Sequence, residues 1–570
     1  MSADPRHVGG DLWRILGPAR IVAVGLALAA PGAAFAYIGD SFISVPGQHG
    51  HWKGKQYRGW IRAEANQWSG RLRMLNSGAT DPLAGDKLFF GGPNAPRPGN
   101  KGKLVLALDK RDPDTRVLMG LCTGKAMLPE MTYAESSDRA RPILELGPRP
   151  ADLPAFWEYK LKEVTVVSCP VAEGADQQAF VLAFKDIDWL NYGADRPLAN
   201  KVVVKPEDLL RVTPAESVAG KKIKSFVITW ISQATTTTDE QCPVMSAKPT
   251  ETDVFRYLSK EEIAAIKAKN GEKGLSAGLD TENRGPGKLN AVLLPGIVPD
   301  PGLPEPRTDV AEGIDLDGND GRGGSPVGIR KHVNFRSPDG RTGIDNQIFR
   351  VMGCVPGARG KRGYRNQTSN ARRADGNIST LVEISGIDDD RNDADVDVAL
   401  IYSMDKPVRD TSGHIFIPNY TFRPSANPNF ALYNVRVHGR IVNGVVTTDV
   451  LPLFKANLGQ DPELVLHDMR MRFEPQPDGS MKGYIGGYLD WRVAADANGS
   501  GYSEGLFGFQ APALYYALKR YADGMKDPVT GEYNGISVAY EVDAVPAFLT
   551  PAAPAPTATA SALPSSSGTR

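Results

Sequence analysis

Apolar residues alternating with polar ones recur in short runs along most of this chain, and that period of two limits it to a fold built mainly from β-strands. In the N-terminal half the pattern is clearest in FWEYKLKEVTVVSCPV and QAFVLAFKDIDWLNY. In the C-terminal half it runs through STLVEISGI, ADVDVALIYSM, GHIFIPNYTF, NFALYNVRVHGRIVNGVV, ELVLHDMRMRFEP and SMKGYIGGYLDWRV. Asn443-Gly444 between two apolar runs is a strong hairpin signal, and Asp478-Gly479 is a second. Six or more short strands with such turns predict an antiparallel β-sandwich for the C-terminal half. Helices are few. Asp112-Pro113 suits an N-cap followed by proline in the first turn, so a helix should start there and end near Gly120 or Gly124. A late helix, APALYYALKRYADG, places Leu514, Leu518 and Tyr521 on one face and should cover one end of the sandwich.

A chain of 570 residues is too long for one ordinary core. Residues 1–36 read as a signal peptide: Arg14 and Arg20 precede an apolar run from Ile21 to Ala30, and small residues end at Ala34-Phe35-Ala36. That run is shorter than the roughly 20 residues of a membrane anchor, so no stable membrane span is expected. A first β-domain is assigned to 37–235, with KVVVKPEDLLRVTPAESVAGKKIKSFVITWISQA extending its edge. Residues 236–308 read as a linker too rich in proline and glycine to bury a core, with one short helix opened by the capping box Ser259-Lys260-Glu261-Glu262. The second domain takes 309–550. The tail 551–570, PAAPAPTATASALPSSSGTR, has almost nothing to bury and should be disordered.

The order of segments in the first domain carries a resemblance. Asp109 and a helix containing Leu118 precede Thr123-Gly124-Lys125, and a strand with Tyr159, Leu161 and Val164 follows. Upstream, SFISVPGQHGHWKGKQYRGWIRAEANQW contributes Gly54, Gly59, Trp60, Ile61 and Trp68. From 38 to 192 this resembles the hemolysin-coregulated protein (Hcp) family, tube-forming proteins of type VI secretion. The resemblance implies a β-barrel with one short helix, a core including Trp60, Trp68, Tyr159, Leu161 and Trp189, and a non-catalytic module that assembles with itself as a ring or stack. It further implies surface or secretion proteins as partners. In such rings a long loop, here Leu75 to Lys103, reaches toward a neighbour. The leader departs from the family, whose tube subunits are assembled in the cytoplasm. The chain therefore reads as a relative used outside the cytoplasm, in the periplasm, at the cell surface or extracellularly. The alternative is a secreted hydrolase or carbohydrate-binding protein acting through the second domain, whose GIDLDGND and SPDGRTGIDNQ blocks resemble uncharacterised secreted bacterial proteins.

Four cysteines, Cys122, Cys169, Cys242 and Cys354, allow three pairings or four buried thiols. Cys122–Cys169, both in the Hcp-like domain at the ends of adjacent elements, and Cys242–Cys354, tying linker to second domain, are favoured. None has the spacing of a zinc, thioredoxin-like or haem-attachment motif. Lysine plus arginine equals aspartate plus glutamate, 66 each, so no global field argues for nucleic acid as a partner.

Asp315, Asp317, Asn319 and Asp320 set oxygen ligands at alternate positions, as in a short loop that wraps Ca2+, with help from Asp339 or Asp345. The loop departs from the EF-hand: glycine falls one place late, at Gly321, and no glutamate stands at the twelfth position. A glycine-aspartate turn is the plainer reading. His49-Gly50-His51 presents an i, i+2 imidazole pair without an evident third ligand. Gly39-Asp40-Ser41 echoes GDS-type esterases, but the aspartate-x-x-histidine such an enzyme needs occurs only at Asp4 to His7, in the leader. The acidic run Ile387–Asp397 reads as a solvated hairpin loop and Arg359–Arg373 as a basic loop. With no P-loop, dinucleotide fingerprint, zincin or nucleophile-elbow motif, an enzyme is not expected, and no cofactor beyond Ca2+ is called.

Overall fold

The computed structural model describes residues 36–54, 57–69, 102–124, 126–136, 157–191, 214–242, 264, 268, 289, 291, 294–319, 332–355, 357–375, 379–413, 415–425, 433–456, 464–498 and 511–550. The leader, the tail, Asp320 and most of the expected linker helix lie outside them. The fold is mainly β, as the alternation predicts.

Seven strands form the first sheet: β1 (Ala36–Ser44), β2 (Ile61–Ser69), β3 (Gly102–Asp109), β4 (Met127–Ser136), β5 (Trp157–Ser168), β6 (Gln177–Phe184) and β7 (Asp186–Asn191). Their order is β4-β1-β2-β3-β6-β5-β7, and β4 also pairs with β5, closing the sheet on itself. Ile43, Leu104, Leu106, Tyr133, Leu161 and Phe180 fill the interior. Tyr159 and Leu161 are buried there as expected. Trp60 is only half-buried, against Tyr57 at 5.0 Å, and the side chains of Trp68 and Trp189 lie outside the described residues. Helix α1 (Pro113–Gly124) starts where its cap predicts, with the Asp114 amide donating to Asp112 Oδ1 at 2.8 Å. Cys122 on α1 is bonded to Cys169 just past β5.

The second sheet contains β8 (Lys222–Gln233), β9 (Ser379–Ile387), β10 (Asn392–Ser403), β11 (Tyr420–Phe422), β12 (Val435–Val442), β13 (Val445–Thr448), β14 (Leu451–Ala456), β15 (Leu464–Pro475), β16 (Met481–Asp490), β17 (Gly524–Lys526) and β18 (Tyr533–Leu549). Eight of them, β8, β9, β10, β12, β13, β15, β16 and β18, form a ring closed by pairing of β18 with β8. The strands read as a sandwich thus make one continuous barrel wall. Strand β8, assigned from sequence to the edge of the first domain, belongs here. Alternation defines a strand and its two faces but not its neighbours, and Phe226, Ile228 and Ile231 join the second core with Val382, Ile384 and Val542. At Asn443-Gly444 both φ angles are positive, 52° and 84°, as a two-residue primed turn between β12 and β13 requires.

Four α-helices accompany this barrel among the described residues: α2 (Ile348–Met352), α3 (Tyr364–Ala374), α4 (Trp491–Asn498) and α5 (Ala511–Tyr521). Two were read otherwise. The basic loop is largely α3, whose buried Asn370 serves both main-chain groups of Ile231, accepting from its amide at 2.9 Å and donating to its carbonyl at 2.8 Å. The end of the GYLDWRV strand turns into α4 because Asp490 caps it, accepting from the Arg492 amide at 2.9 Å.

The two barrels meet along a buried seam. The outer wall of the first presents Ala65, Val105, Ala107, Ala179 and Val181, covered by Ala291, Leu294, Ile297 and Val298. These last four lie in the stretch read as unable to bury a core. They can pack because the wall is built from small residues and because Gly296 sits where a Cβ would be 2.4 Å from Gln177. Helix α5 completes the joint. Tyr516 Oη accepts from the Asp176 amide at 3.1 Å and donates to the Val298 carbonyl at 2.7 Å. Gln177 Nε2 donates to Glu64 Oε2 at 2.7 Å and Tyr515 Oη at 2.9 Å, and Lys519 Nζ lies 3.4 Å from the same Glu64 oxygen. Lys519→Met, which leaves the Glu64 charge in place, should cost about 3 kcal/mol in denaturant unfolding, and adding Glu64→Gln should recover part of that loss.

Candidate metal centre

The acidic loop is laid over the outside of the second barrel. Ile314 and Leu316 pack on Tyr488, with Tyr484 and Met525 beside them. Gly486 in β16 allows this approach, since a Cβ there would fall 2.4 Å from Ile314 Cγ2. An isolated bridge between Ile314 and Asp345 and another between Phe335 and Ile344 hold the loop to the 335–345 segment. Arg470 Nε donates to the Leu316 carbonyl at 3.0 Å.

On this frame Asp315, Asp317 and Asp345 each bring a carboxylate oxygen to within 4.8 Å of the others. Main-chain amides shape the turn: Gly318 donates to Asp315 Oδ1 at 2.7 Å, Asn319 to Asp317 Oδ1 at 3.0 Å and Leu316 to Asp345 Oδ2 at 2.8 Å. Asp345 is 2% exposed, the other two partly buried. Gly343, with φ at 80°, faces the loop closely: a Cβ there would lie 3.2 Å from Asp315 Oδ2 and 3.3 Å from the Asn319 carbonyl oxygen. The three donors are carboxylate oxygens, hard ligands that suit Ca2+ better than a metal that prefers nitrogen or sulfur. Asn319 donates its amide to Asp317 and accepts from Asn334 Nδ2 at 3.2 Å through its carbonyl, and Asp320 lies outside the described residues. Of the two helpers named from sequence, Asp345 is in the group. Asp339 instead takes Arg341 Nε at 2.8 Å and the Ser337 hydroxyl.

The negative charge of the loop is felt by its buried neighbours. Burial pushes the Asp523 carboxyl up to about 7, against hydrogen bonds from Ser537, and the Asp317 charge adds to the rise. Next to the loop, Glu312 accepts from Tyr484 Oη. Glu541, opposite Tyr484 in the β16–β18 register, accepts from Thr236 Oγ1 at 3.2 Å. Burial pushes Glu541 up to about 7, with Lys361 opposing and Glu312 reinforcing the shift. Sequence reasoning missed Glu312, Glu541 and Asp523, since their proximity comes from strand register and from the path of the loop.

The remaining sequence candidates fall elsewhere. Ser41 is fully buried in β1, with its Oγ 3.2 Å from Tyr133 Oη, so it is shielded from any substrate. The acidic run closes the β9–β10 hairpin. Its Asp390 pairs with Lys222 at 2.7 Å and Lys224 at 2.9 Å, and Asp393 accepts the amides of Asp388 and Asp395. Cys242 is bonded to Cys354.

No protein-family model and no curated protein matches the chain. Among solved structures, a type six secretion system protein is similar at 17% identity, covering 26% of this chain and 82% of its own, with a TM-score of 0.17. The Hcp1 protein from E. coli EAEC 042 is similar at 13% identity over 29% of this chain and 94% of its own, with a TM-score of 0.18. A type VI secretion system effector from Yersinia pestis is similar at 11% identity over 27% of this chain and all of its own, with a TM-score of 0.17.

Two measurements test the centre. At calcium about a hundredfold above its dissociation constant the folded state should gain about 2.7 kcal/mol. Thermal unfolding should therefore shift upward relative to chelator in the parent chain and stay put in Asp345→Asn. Separately, a carboxyl raised in the folded state keeps a proton that the unfolded chain releases, so Glu541 makes stability fall as pH rises from its ordinary range through about 7. Glu541→Gln should remove a pH-dependent loss of at most roughly 3 kcal/mol across that window, read from urea midpoints at pH 4.5 and 8.

Proposed function

We propose that this chain is an exported, non-catalytic structural or binding protein that works through its surfaces, with copies associating as a ring or stack. The observation that carries the proposal is an exposed apolar strand edge on the second barrel. Strand β11 pairs with β18 on one side only among the described residues. Ile415, Ile417 and Tyr420 are 64%, 42% and 43% exposed just before or on it, and Phe548, opposite Thr421 in the register, is 57% exposed. Large apolar side chains gathered at an open edge are costly in water and mark a contact surface.

A second apolar group, Met127, Val167 and Val171, stands exposed at one end of the first barrel beside the Cys122–Cys169 bond. The resemblance of residues 38–192 to ring-forming Hcp proteins supports a second copy as the partner. Both disulfides support an oxidising compartment outside the cytoplasm, the periplasm, cell surface or medium. Among the described residues no helix is long and apolar enough to cross a membrane. Calcium at Asp315, Asp317 and Asp345 would fix the outer loop of the second barrel and leave the contact surfaces in place.

Light scattering on the chain beginning at Tyr37, with calcium and with chelator, tests the assembly. A discrete multiple of the chain mass is expected, and Phe548→Glu should return it toward a monomer without lowering the unfolding temperature. A monodisperse monomer in both conditions at tens of micromolar would overturn the self-assembly reading.

A further inference from the structure

Away from the acidic loop, the structure prepares an imidazole site on the first barrel. Residues 50–52 run extended beside 59–60: the Gly50 amide donates to the Gly59 carbonyl at 2.7 Å, Gly59 to Trp52 at 2.9 Å and Trp52 to Trp60 at 3.3 Å. Gly50 is pressed onto its partner, since a Cβ there would lie 2.2 Å from the Trp60 carbonyl. Neighbours in an extended segment point to the opposite face, so His49 and His51 share the outward side, and both are exposed. His49 lies beside Gly59, its Nδ1 3.9 Å from where a Cβ would stand.

His51 is held in one pose. Its main-chain amide reaches both oxygens of Asp114, at 3.0 and 2.9 Å, and its Nδ1 lies 2.5 Å from Asp114 Oδ1. Asp114 is 1% exposed. An ionised carboxylate only accepts hydrogen bonds, so Nδ1 is the donor in this contact, and the neutral form of the ring then carries its lone pair on Nε2. The His51 side chain is 59% exposed. A ring nitrogen tied to a buried carboxylate, on a side chain that is otherwise largely exposed, is how proteins orient an imidazole for a metal.

We propose that His49 and His51 bind a borderline divalent transition ion, copper(II) foremost, through two imidazole nitrogens, with Asp114 as the positioning residue and water completing the coordination. Nitrogen donors select copper, nickel or zinc over calcium, and copper(II) heads the affinity order for such ligands. The site is therefore chemically separate from the acidic loop of the second barrel.

The untagged chain from Tyr37 is titrated with copper(II) by calorimetry and followed by electron paramagnetic resonance. One ion per chain should bind with a spectrum showing two imidazole nitrogens. His49→Gln and His51→Gln should each weaken binding at least roughly tenfold and remove one nitrogen. Asp114→Asn should weaken it roughly ten- to a hundredfold and redistribute the His51 tautomer seen in its 15N shifts, with Asp114→Glu recovering part of both. His438→Gln should change nothing. Because His49 is exposed and makes no hydrogen bond among the described residues, His49→Gln tests the site without endangering the fold. Equal affinity in the His49→Gln/His51→Gln double variant, or no binding below about 1 mM, a concentration at which affinity is only about 4 kcal/mol, would overturn the proposal.

Discussion

The second barrel exists only if β8 finds β18. Their pairing joins Phe226–Gln233 to Tyr540–Pro546, and Thr229 Oγ1 donates to the Asp543 carbonyl across 314 residues of chain. Without it the sheet has two open edges and the interior side chains of Phe226, Ile228, Tyr540 and Val542 lose their enclosure. Closing so long a loop is entropically expensive and slow to reach by chance. Two features reduce that cost. Strand β18 is 17 residues long and also carries β16, β11 and β17, so most of the ring can form before β8 docks. The Cys242–Cys354 bond then holds the chain leaving β8 next to α2, which packs in the same core.

The seam between barrels depends on the same closure, because α5 and the 294–298 segment are positioned by the second barrel and read out by the first. Its polar centre is balanced by charge. Burial would raise the Glu64 carboxyl, but the charges of Lys519 and Arg62 and the Gln177 hydrogen bond prevail and hold it below the usual range. Burial would likewise lower Lys519, yet Glu64 and Asp109 keep it raised. Each group therefore helps to keep the other ionised, together with Arg62 on one side and Asp109 on the other. The apolar part, alanines and valines against Leu294 and Ile297, supplies attraction with little geometric preference. The hydrogen bonds of Tyr515, Tyr516 and Gln177 supply the preference, since any sliding would leave buried polar atoms without partners.

Local chemistry and the two cysteine pairings were legible in the sequence, and strand partnership was not. The helix at Asp112-Pro113 and the hairpin at Asn443-Gly444 were readable because capping and positive φ act within four residues. Asp315, Asp317 and Asp345 were readable as carboxylates that could gather in one place, because carboxylate density survives in one dimension. The place of β8 in the second ring was not, since period-two alternation names no neighbour. Nor was the packing of Leu294–Val298, where proline and glycine suggested a free linker. There the decisive residues were on the other side of the contact, the small wall of β2, β3 and β6. His51 was visible as half of a pair, whereas nothing in the sequence links it to Asp114, 63 residues away.

That small wall constrains how copies can meet. An isolated barrel with Ala65, Val105, Ala107, Ala179 and Val181 facing water would give this patch to a neighbouring molecule. Here the chain covers the patch with its own residues and locks the cover with α5. Contacts between copies must then use other surfaces, and the repeating unit of any assembly is a pair of unlike barrels. The second barrel carries the open β11 edge and the first carries Met127, Val167 and Val171. Because these two surfaces differ, joining one to the other would be a head-to-tail contact. Such contacts close into rings or run on as stacks according to the rotation between successive copies. A contact between two β11 edges would instead stop at a dimer.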